Sequence, residues 1–319
     1  MQGLPRTEFA AALNQVCAER SIDPAIVLDA MKAAILAAFR KDFPDVLAED
    51  EEPDVQIQEK DGAIKIIKDG KNITPAGFGR IAAQTAKQVI LQRIREAEKK
   101  AIFDEFEGKI GTLMNGMVQR VEGPVVVVDL GKAEGIMPPQ EQVRSDGYNP
   151  GQRLKFYVVG IRPGPRGNEI IVSRSHKGLV ENLFKLEVPE MSFGSVEIKV
   201  IAREGGERTK VAVVSNQPGV DPVGSCVGQK GVRVQAVINE VGEEKIDIIQ
   251  WYEDPIQFIT AALSPAKEIV VKIDEENKEA DVAAPEDQLS LAIGRGGQNV
   301  RLASKLTGYK INIHGFDEM

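Results

Sequence analysis

Apolar positions in the first part of the chain recur every three to four residues, the period of an amphipathic helix. This pattern predicts one helix over residues 8–20 and a second that starts at Asp23-Pro24, an N-cap followed by a proline suited to the first helical position. Two β-like runs, 55–57 and 64–66, flank a turn at Asp61-Gly62 and predict a hairpin. We therefore expect an N-terminal α/β head.

The longest helical pattern runs from Phe78 to about Phe106. Its apolar stripe is expected to consist of Ile81, Thr85, Val89, Ile90, Ile94 and Ile102. At about 1.5 Å per residue this helix would extend roughly 40 Å, longer than a small domain needs. We expect it to project from the head or to carry the next domain, and we interpret the basic residues on its surface as a solvated face.

Between residues 108 and 176 the pattern changes to short β runs separated by Gly and Pro. The predicted strands are 113–121, 125–129, 134–137, 153–161 and 170–173. Five short strands in about 70 residues favour a small closed barrel, of which the OB-fold is the leading candidate. Its arginines, which include Arg120 and Arg174, are candidate phosphate contacts, and the alternative for each is a surface charge without a partner.

A glycine pattern then occurs twice in the same frame, 66 residues apart. The first copy contains Asp221, Gly228, Gln229, Lys230, Gly231 and Gly242, and the second contains Asp287, Gly294, Arg295, Gly296, Gly297 and Gly308. A single GxxG is common by chance, but two copies with matching flanks indicate a repeated domain. We interpret the aspartates as helix N-caps and the last glycine of each copy as a helix C-cap.

The hydrophobic runs around each copy predict the order α-β-β-α-α-β of a type II KH domain, with one helix on either side of the GxxG. A loop with glycine at both ends joins two helices sharply, and the missing side chains let backbone N–H groups approach phosphate. The helix after the loop directs its positive end to the same point. KH domains clamp about four nucleotides of single-stranded RNA in this way.

We therefore predict RNA contacts at both loops, on the helices that follow them and on the barrel. The predicted contacts are Gly228, Gln229, Lys230, Gly231, Arg233, Gly294, Arg295, Gly296, Gly297, Arg301, Arg120 and Arg174. Arg174, at the end of the barrel, is preferred among the barrel arginines. Trp251 is interpreted as a core or interdomain residue rather than a platform on which bases stack.

Composition limits how this RNA would be bound. The net charge is −8 and aromatic residues make up 5% of the 319 residues, so neither bulk attraction nor stacking on aromatic rings is expected to dominate. Residues 107–176 hold 9 Lys plus Arg against 7 Asp plus Glu, whereas residues 178–319 hold 15 against 23. We expect a basic face at the glycine loops and an acidic back that includes Glu243-Glu244. The alternative is that these are ordinary solvated charges.

No catalytic, cofactor or metal motif is found in the sequence. Cys17 and Cys226 are isolated, and the two histidines, His176 and His314, lie in different predicted domains. Neither a secretory leader nor an apolar run of membrane-spanning length occurs. We predict a cytoplasmic protein that is not an enzyme, uses no metal or cofactor and does not associate with a membrane.

Five runs carry a resemblance to a known family. They are FGRIAAQTAKQ at 78–88, VQRVEG at 118–123, DPVG at 221–224, KIDIIQW at 245–251 and QLSLAIG at 288–294. Together they closely resemble the NusA family of bacterial transcription factors, over nearly the whole chain. The resemblance implies a head at 1–106 that binds RNA polymerase, an OB barrel of the ribosomal S-one type at 107–176, and KH domains at 177–254 and 255–319.

The resemblance also implies a function: an elongation factor that modulates pausing, termination and antitermination. The implied partners are RNA polymerase, nascent single-stranded RNA and other elongation or antitermination factors. Three departures from the family are a short segment at 69–76, aliphatic residues at 125–128 where many such barrels carry aromatics, and no acidic repeat after the second KH domain. The residues alone leave open an RNA-binding accessory module of an RNA-processing enzyme or a component of a ribonucleoprotein.

Overall fold

The computed structural model describes residues 8–19, 22–44, 46, 53–58, 63–164, 167–242 and 244–316. Contacts between Cα atoms divide the chain into two units, Met1–Glu105 and Phe106–Met319. Among the described residues, none of the helices combines the length and the hydrophobicity that crossing a bilayer requires.

The first unit packs helices on a small antiparallel sheet. Its elements are α1 (Glu8–Glu19), α2 (Pro24–Asp42), β1 (Asp54–Ile57), β2 (Ile64–Lys68), β3 (Lys71–Asn72) and α3 (Phe78–Glu107). The side chain of Asp23 caps α2 by accepting a hydrogen bond from the Ala25 N–H at 2.9 Å, as predicted. The antiparallel pairing of β1 with β2 confirms the hairpin, and its predicted turn at 61–62 lies outside the described residues.

The core of the first unit uses only the beginning of α3. Phe78, Ala82 and Ala86 are buried there, and their spacing of four residues places them on one helix face. Val89 packs at the edge of this core, as predicted. The predicted apolar stripe is wrong at Ile81, which is 36% exposed, because the small alanines rather than the isoleucine face the other helices.

The second unit contains a closed barrel of five strands. They are β4 (Leu113–Glu122), β5 (Val125–Asp129), β6 (Glu134–Met137), β7 (Arg153–Gly164) and β8 (Gly167–Ser173), joined in the order β4-β5-β6-β8-β7. This confirms the five predicted strands and the closure. Gly116 allows close packing inside the barrel, because an added Cβ would lie 2.6 Å from Cγ1 of Val128. The assignment as an OB-fold stays a prediction.

Two domains with the predicted order α-β-β-α-α-β follow the barrel. The first consists of α4 (Lys177–Glu187), the short α5 (Pro189–Ser192), β9 (Val196–Glu204), β10 (Arg208–Ser215), α6 (Pro222–Val227), α7 (Val232–Val241) and β11 (Lys245–Gln250). The second consists of α8 (Pro255–Ala262), β12 (Val270–Asp274), β13 (Glu279–Ala284), α9 (Glu286–Ile293), α10 (Gln298–Thr307) and β14 (Lys310–Gly315). In each sheet the middle strand is antiparallel to the first strand and parallel to the last.

The helix caps agree with the sequence at three positions and differ at one. Asp221 caps α6 by accepting a backbone N–H at 3.0 Å, and Gly242 and Gly308 end α7 and α10 with φ angles of 83° and 76°. Asp287 is not an N-cap. Helix α9 begins two residues earlier than that cap requires, after Pro285, so Asp287 lies in the first turn, where its charge is still favourable at the positive helix end.

Hydrophobic cores cross the domain boundaries of the second unit. Leu113 and Tyr157 of the barrel pack against the buried cluster of the first α-β-β-α-α-β domain. Ala212 of that domain shares another cluster with Phe258 of the next domain. Trp251 packs against this second cluster, with its ring 6.5 Å from that of Phe258, which confirms its predicted interdomain role. These shared cores hold the three domains in one arrangement.

His176 caps α4 at the junction between the barrel and the domain that follows it. Its Nδ1 accepts a hydrogen bond from the Gly178 N–H at 3.0 Å, and its ring stacks on Tyr157 with 4.5 Å between the ring centroids. An Nδ1 that accepts a hydrogen bond belongs to the neutral imidazole. Burial lowers the pKa of His176 below its ordinary value, which favours this neutral form.

This cap predicts a pH-dependent stability. Because the pKa of His176 is lower in the folded than in the unfolded state, the unfolded chain binds more protons. Its contribution is therefore fully present above the ordinary histidine pKa of about 6.5 and is lost as pH falls towards the folded value. We expect the stability difference between the protein and its His176→Asn variant, which has a cap that does not titrate, to change between pH 7.5 and pH 5. Urea unfolding across that range measures it, and a constant difference would contradict the role of the neutral ring.

Candidate nucleic-acid interface

The two glycine loops have the same backbone conformation. Gly228 and Gly294 end α6 and α9 with φ/ψ angles of 73°/171° and 74°/169°. Gly231 and Gly297 precede α7 and α10 in the left-handed conformation, with φ angles of 78° and 72°. In both loops the N–H of the last glycine donates to the carbonyl of the first at 3.1 Å. The predicted sharp bend between two helices is confirmed in both copies.

The third position of each loop is also left-handed, and here the copies differ in sequence. Lys230 has a φ angle of 55° and Gly296 a φ angle of 60°. Left-handed backbone destabilises a residue with a side chain by roughly 1–2 kcal/mol, whereas glycine adopts it freely. A Cβ added to Gly296 would meet no atom within 4 Å, so the space above the second loop is open to a ligand.

Helices α7 and α10 direct their N-terminal ends towards the loops. Each helix has 10 residues and begins after a glycine, and among the described residues no side chain caps its first turn. The N–H groups of their first residues, Val232 and Gln298, donate to the carbonyls of Gln229 and Arg295. The first N–H groups of a helix have no partner within the helix, and the helix dipole places partial positive charge at that end. Both loops therefore lie at the positive end of a helix, which suits a phosphate group.

Two of the predicted cations stand free at these loops. Lys230 and Arg295 are exposed, and within the described part of the chain neither makes an ion pair or a side-chain hydrogen bond. Exposed apolar side chains lie near them: Val232, 68% exposed, borders the first loop, and Leu291, 45% exposed, precedes the second. A phosphate backbone could contact the loop while bases cover the apolar positions.

Arg233 is engaged by the protein itself. Its Nη1 donates to Oε2 of Glu190 at 2.9 Å and to the carbonyl oxygen of Ser225 at 2.6 Å. Glu190 belongs to α5, and it lines the groove that borders the first loop. The hydrogen bond from the backbone of Glu190 itself lowers the pKa of this carboxyl group most, and the hydrogen bond from Arg233 lowers it further. The carboxylate is therefore charged.

Arg301 joins the two KH-like domains. Its Nε donates to Oε1 of Glu204 at 2.6 Å, and its Nη1 donates to the carbonyl oxygen of Gly296 at 3.1 Å. Gln298 and Lys305, on the same helix, also approach Glu204. The hydrogen bond from Arg301 lowers the pKa of Glu204 to about 2. Glu204 thus ties the helix after the second loop to the preceding domain.

These carboxylates change the expected separation into a basic face and an acidic back. Glu190 and Glu204 lie next to the glycine loops, where they neutralise arginines. Glu244 is fully buried, with Oε2 2.8 Å from Nη2 of Arg203, so it contributes nothing to an acidic surface. Its neighbour at position 243 lies outside the described residues. The expected separation is therefore wrong at these positions.

The barrel arginines lie in different environments. Arg120 is on the surface and pairs with Glu122 and Glu134, the latter at 2.9 Å, so it is accessible but partly neutralised. Arg174 is 2% exposed. Its Nε donates to Asp146 at 2.7 Å, and its other nitrogens reach the Lys155 carbonyl at 2.9 Å and the Glu240 carbonyl at 2.7 Å.

The predicted phosphate contact of Arg174 is therefore corrected. A guanidinium whose donors are directed to Asp146, Lys155 and Glu240 inside the protein has none to offer at the surface. Since Asp146 lies in the barrel segment and Glu240 on α7, Arg174 connects the barrel to the domain that contains the first loop. Its charge is used for domain packing.

Three residues near the loops were missed by the sequence reasoning. Glu190 and Glu204 gave no local signal, because only the folded chain brings them to Arg233 and Arg301. Asn299, which is buried behind the second loop, did carry a signal. It occupies the position of Arg233 in the repeat, five residues after the first glycine of its loop.

The fold and the paired loops define a protein with two tandem type II KH domains. Family models match the chain in the same places: the NusA-like first KH domain at residues 174–251, the NusA-like second KH domain at 255–319, and the NusA N-terminal domain at 8–74 and 67–100.

Full-length relatives agree with these matches. The transcription termination/antitermination protein NusA of Bacillus subtilis (strain 168) is 43% identical over 335 residues, covering 96% of this chain and 90% of that protein. The protein of the same name from Thermus thermophilus is 40% identical over 344 residues, covering 96% and 89%. The solution structure of the N-terminal domain of NUSA from B. subtilis is 28% identical. It covers 29% of this chain and 97% of that one, with a TM-score of 0.24. The chain belongs to the NusA family.

The position of Arg174 predicts a large loss of stability on truncation. Arg174→Ala would leave the buried Asp146 without its cation, whereas Glu240 keeps Lys155 at 2.9 Å. Removal of one partner of a buried ion pair destabilises a protein by about 3–5 kcal/mol. Arg120→Ala is the matched control, because it breaks an exposed pair and should change stability by about 0–1 kcal/mol. Thermal and urea unfolding measure both variants, and equal stability of the two would refute the buried role.

Proposed function

We propose that this protein is a transcription elongation factor that binds RNA polymerase and nascent single-stranded RNA and thereby modulates pausing, termination and antitermination. The observation that supports it most is the pair of glycine loops, which share one backbone conformation and carry the free cations Lys230 and Arg295. The proteins named NusA among its relatives are termination/antitermination proteins. The protein would act in the cytoplasm, together with other elongation or antitermination factors, and without catalysing a reaction.

In this proposal the RNA backbone follows the two loops. The backbone of Gly228–Gly231 and Gly294–Gly297, together with the positive ends of α7 and α10, would bind phosphates. Lys230 and Arg295 would add charge, and Gln229 a hydrogen bond. Arg301 and Arg120 keep exposed guanidinium surface, so they could give part of their carboxylate pairing to phosphate.

We further propose four domains, with boundaries at 1–106, 107–176, 177–254 and 255–319. The first would dock on RNA polymerase, the second would be an OB barrel of the S-one type, and the last two are the KH domains. The closed barrel with the strand order β4-β5-β6-β8-β7 supports the second assignment. The buried valines of β5, such as Val127, leave that strand without aromatic rings, so the barrel would bind RNA mainly through charge.

The mechanism would be steric and electrostatic. RNA held in extended form along fixed loops cannot pair with itself, whereas RNA delivered in a favourable register folds into a hairpin more readily. Because the protein carries a net charge of −8, attraction has to come from the local potential at the loops. Such binding weakens steeply with salt, since bound phosphates release their counterions.

The second loop provides the sharper test of RNA binding. Arg295→Asp with Gly296→Asp places two carboxylates against the phosphate path. A Cβ at position 296 meets no neighbouring atom, and aspartate is among the residues that adopt left-handed backbone more often. We expect the affinity for single-stranded RNA to fall about tenfold or more. The melting temperature should fall by only a few degrees, the effect of roughly 1–2 kcal/mol for an aspartate in left-handed backbone. Fluorescence anisotropy measures the affinity.

A matched control changes the charge equally at another place. Lys99→Asp with Ala101→Asp alters two exposed positions of α3 and shifts the net charge by the same −3. This control should bind RNA as the unmodified protein does. If the loop variant also binds normally, the second loop is not an RNA clamp.

The polymerase-docking role of the first unit is tested by deletion. We expect immobilised RNA polymerase to retain the full chain and to lose a chain that lacks residues 1–105. This deletion keeps Phe106, which is buried within the second unit. The truncated chain should still bind RNA in the anisotropy assay, which shows that its remaining unit is folded. Retention of the truncated chain by the polymerase would assign docking to another part of the protein.

A further inference from the structure

One side chain crosses the base of each glycine loop, at the same position of the repeat. Nη1 of Arg233 donates to the carbonyl oxygen of Ser225 at 2.6 Å, and Nδ2 of Asn299 donates to the carbonyl oxygen of Leu291 at 3.0 Å. Both pairs are eight residues apart, and the members of the second pair follow those of the first by 66 residues. The two loops therefore contain the same bond, made by different chemistry.

The crossing side chain also explains the first glycine of each loop. A Cβ added to Gly228 would lie 2.8 Å from Cγ of Arg233. One added to Gly294 would lie 2.7 Å from Cβ and 2.8 Å from the backbone N of Asn299. Any other residue at these positions would displace the crossing side chain. The first glycine and the residue five positions later thus act as one unit.

Each crossing side chain has a second anchor. Arg233 is tied to Glu190 at the surface, through Nη1 to Oε2 at 2.9 Å. Asn299 is 1% exposed, and its Nδ2 also donates to the carbonyl oxygens of Leu263 at 2.9 Å and Ala292 at 3.2 Å.

In the described structure the Oδ1 atom of Asn299 is buried without a hydrogen-bond partner. An unsatisfied buried acceptor destabilises a fold by about 1–3 kcal/mol. The amide thus links α10 to carbonyls at the ends of α8 and α9.

We propose that Arg233 and Asn299 are positioning residues of the RNA site: each holds the helix before its loop to the helix after it, so that the loop N–H groups keep the phosphate-binding arrangement. Neither residue contacts phosphate. This inference rests on the proposed RNA-binding function, and it replaces the predicted RNA contact of Arg233. Preorganised donors bind more tightly because no ordering is needed when the ligand arrives.

The second loop suggests a control for the first, because it has asparagine at the position that corresponds to Arg233. Arg233→Ala and Arg233→Asn remove the same charge and leave Glu190 unpaired in the same way. Because the loop backbones coincide, the asparagine is expected to reach the Ser225 carbonyl as Asn299 reaches that of Leu291. A phosphate-binding arginine would be lost equally in both variants, whereas a positioning residue would be restored by asparagine.

The probe is a fluorescein-labelled single-stranded RNA of mixed sequence, and its affinity is measured by anisotropy from 50 to 300 mM KCl with the full chain. We expect Arg233→Ala to bind about fivefold more weakly than Arg233→Asn, the effect of one hydrogen bond. Both variants should keep the slope of log affinity against log salt. Arg295→Gln, which removes a proposed phosphate contact, should reduce that slope by about 0.7.

Asn299→Ala provides the second measurement. It removes the amide that donates to three carbonyls and changes no charge, so RNA affinity should fall at a temperature well below its melting transition, with the salt slope unchanged. Normal affinity of this variant would overturn the proposal for the second loop.

Two further outcomes separate the inference from the function on which it rests. Equal weakening of Arg233→Ala and Arg233→Asn, with a reduced salt slope, would make Arg233 a phosphate contact and overturn the proposal for the first loop. If the unmodified protein does not bind the RNA, or Arg295→Gln binds as the unmodified protein does, the proposed RNA site itself fails, and the positioning roles fail with it.

Discussion

The second unit depends on arginine and lysine side chains that are paired with carboxylates inside the protein or at domain boundaries. Arg174 joins the barrel to α7, Arg203 pairs with the buried Glu244, and Arg301 reaches Glu204 across the two KH domains. The fully buried Lys210 bonds to Asp247 and to the Ser264 carbonyl, and burial lowers its pKa. A buried charge is tolerated only with such partners, so these contacts specify how the domains meet.

The same contacts decide which cations remain for a ligand. A chain with a net charge of −8 attracts RNA only where its positive groups are not already neutralised. Lys230 and Arg295 satisfy this condition at the tips of the loops, while Arg233 is bound by Glu190. The loops thus depend also on the positive ends of α7 and α10, which no carboxylate caps among the described residues.

Much of the fold followed from local patterns. The five barrel strands, the order α-β-β-α-α-β in both KH domains and the caps at Asp221 and Gly308 were predicted within a few residues, because periodicity and cap chemistry act over short stretches. The errors have one cause. Ile81 and Asp287 were misplaced because burial and the start of a helix also depend on what the neighbouring elements present.

The candidate site divides in the same way. By itself the sequence determined the two glycine loops. Left-handed backbone and close helix packing admit few residues other than glycine, so the required glycines are visible in the sequence as a spaced repeat. Only the tertiary structure decided which arginines serve the site. Arg174 lies inside, Arg233 crosses the base of a loop, and Arg295 stands free, although in the sequence all three look like phosphate contacts. The reason is that the charge available to a ligand depends on partners that are distant in sequence, and folding alone brings those partners together.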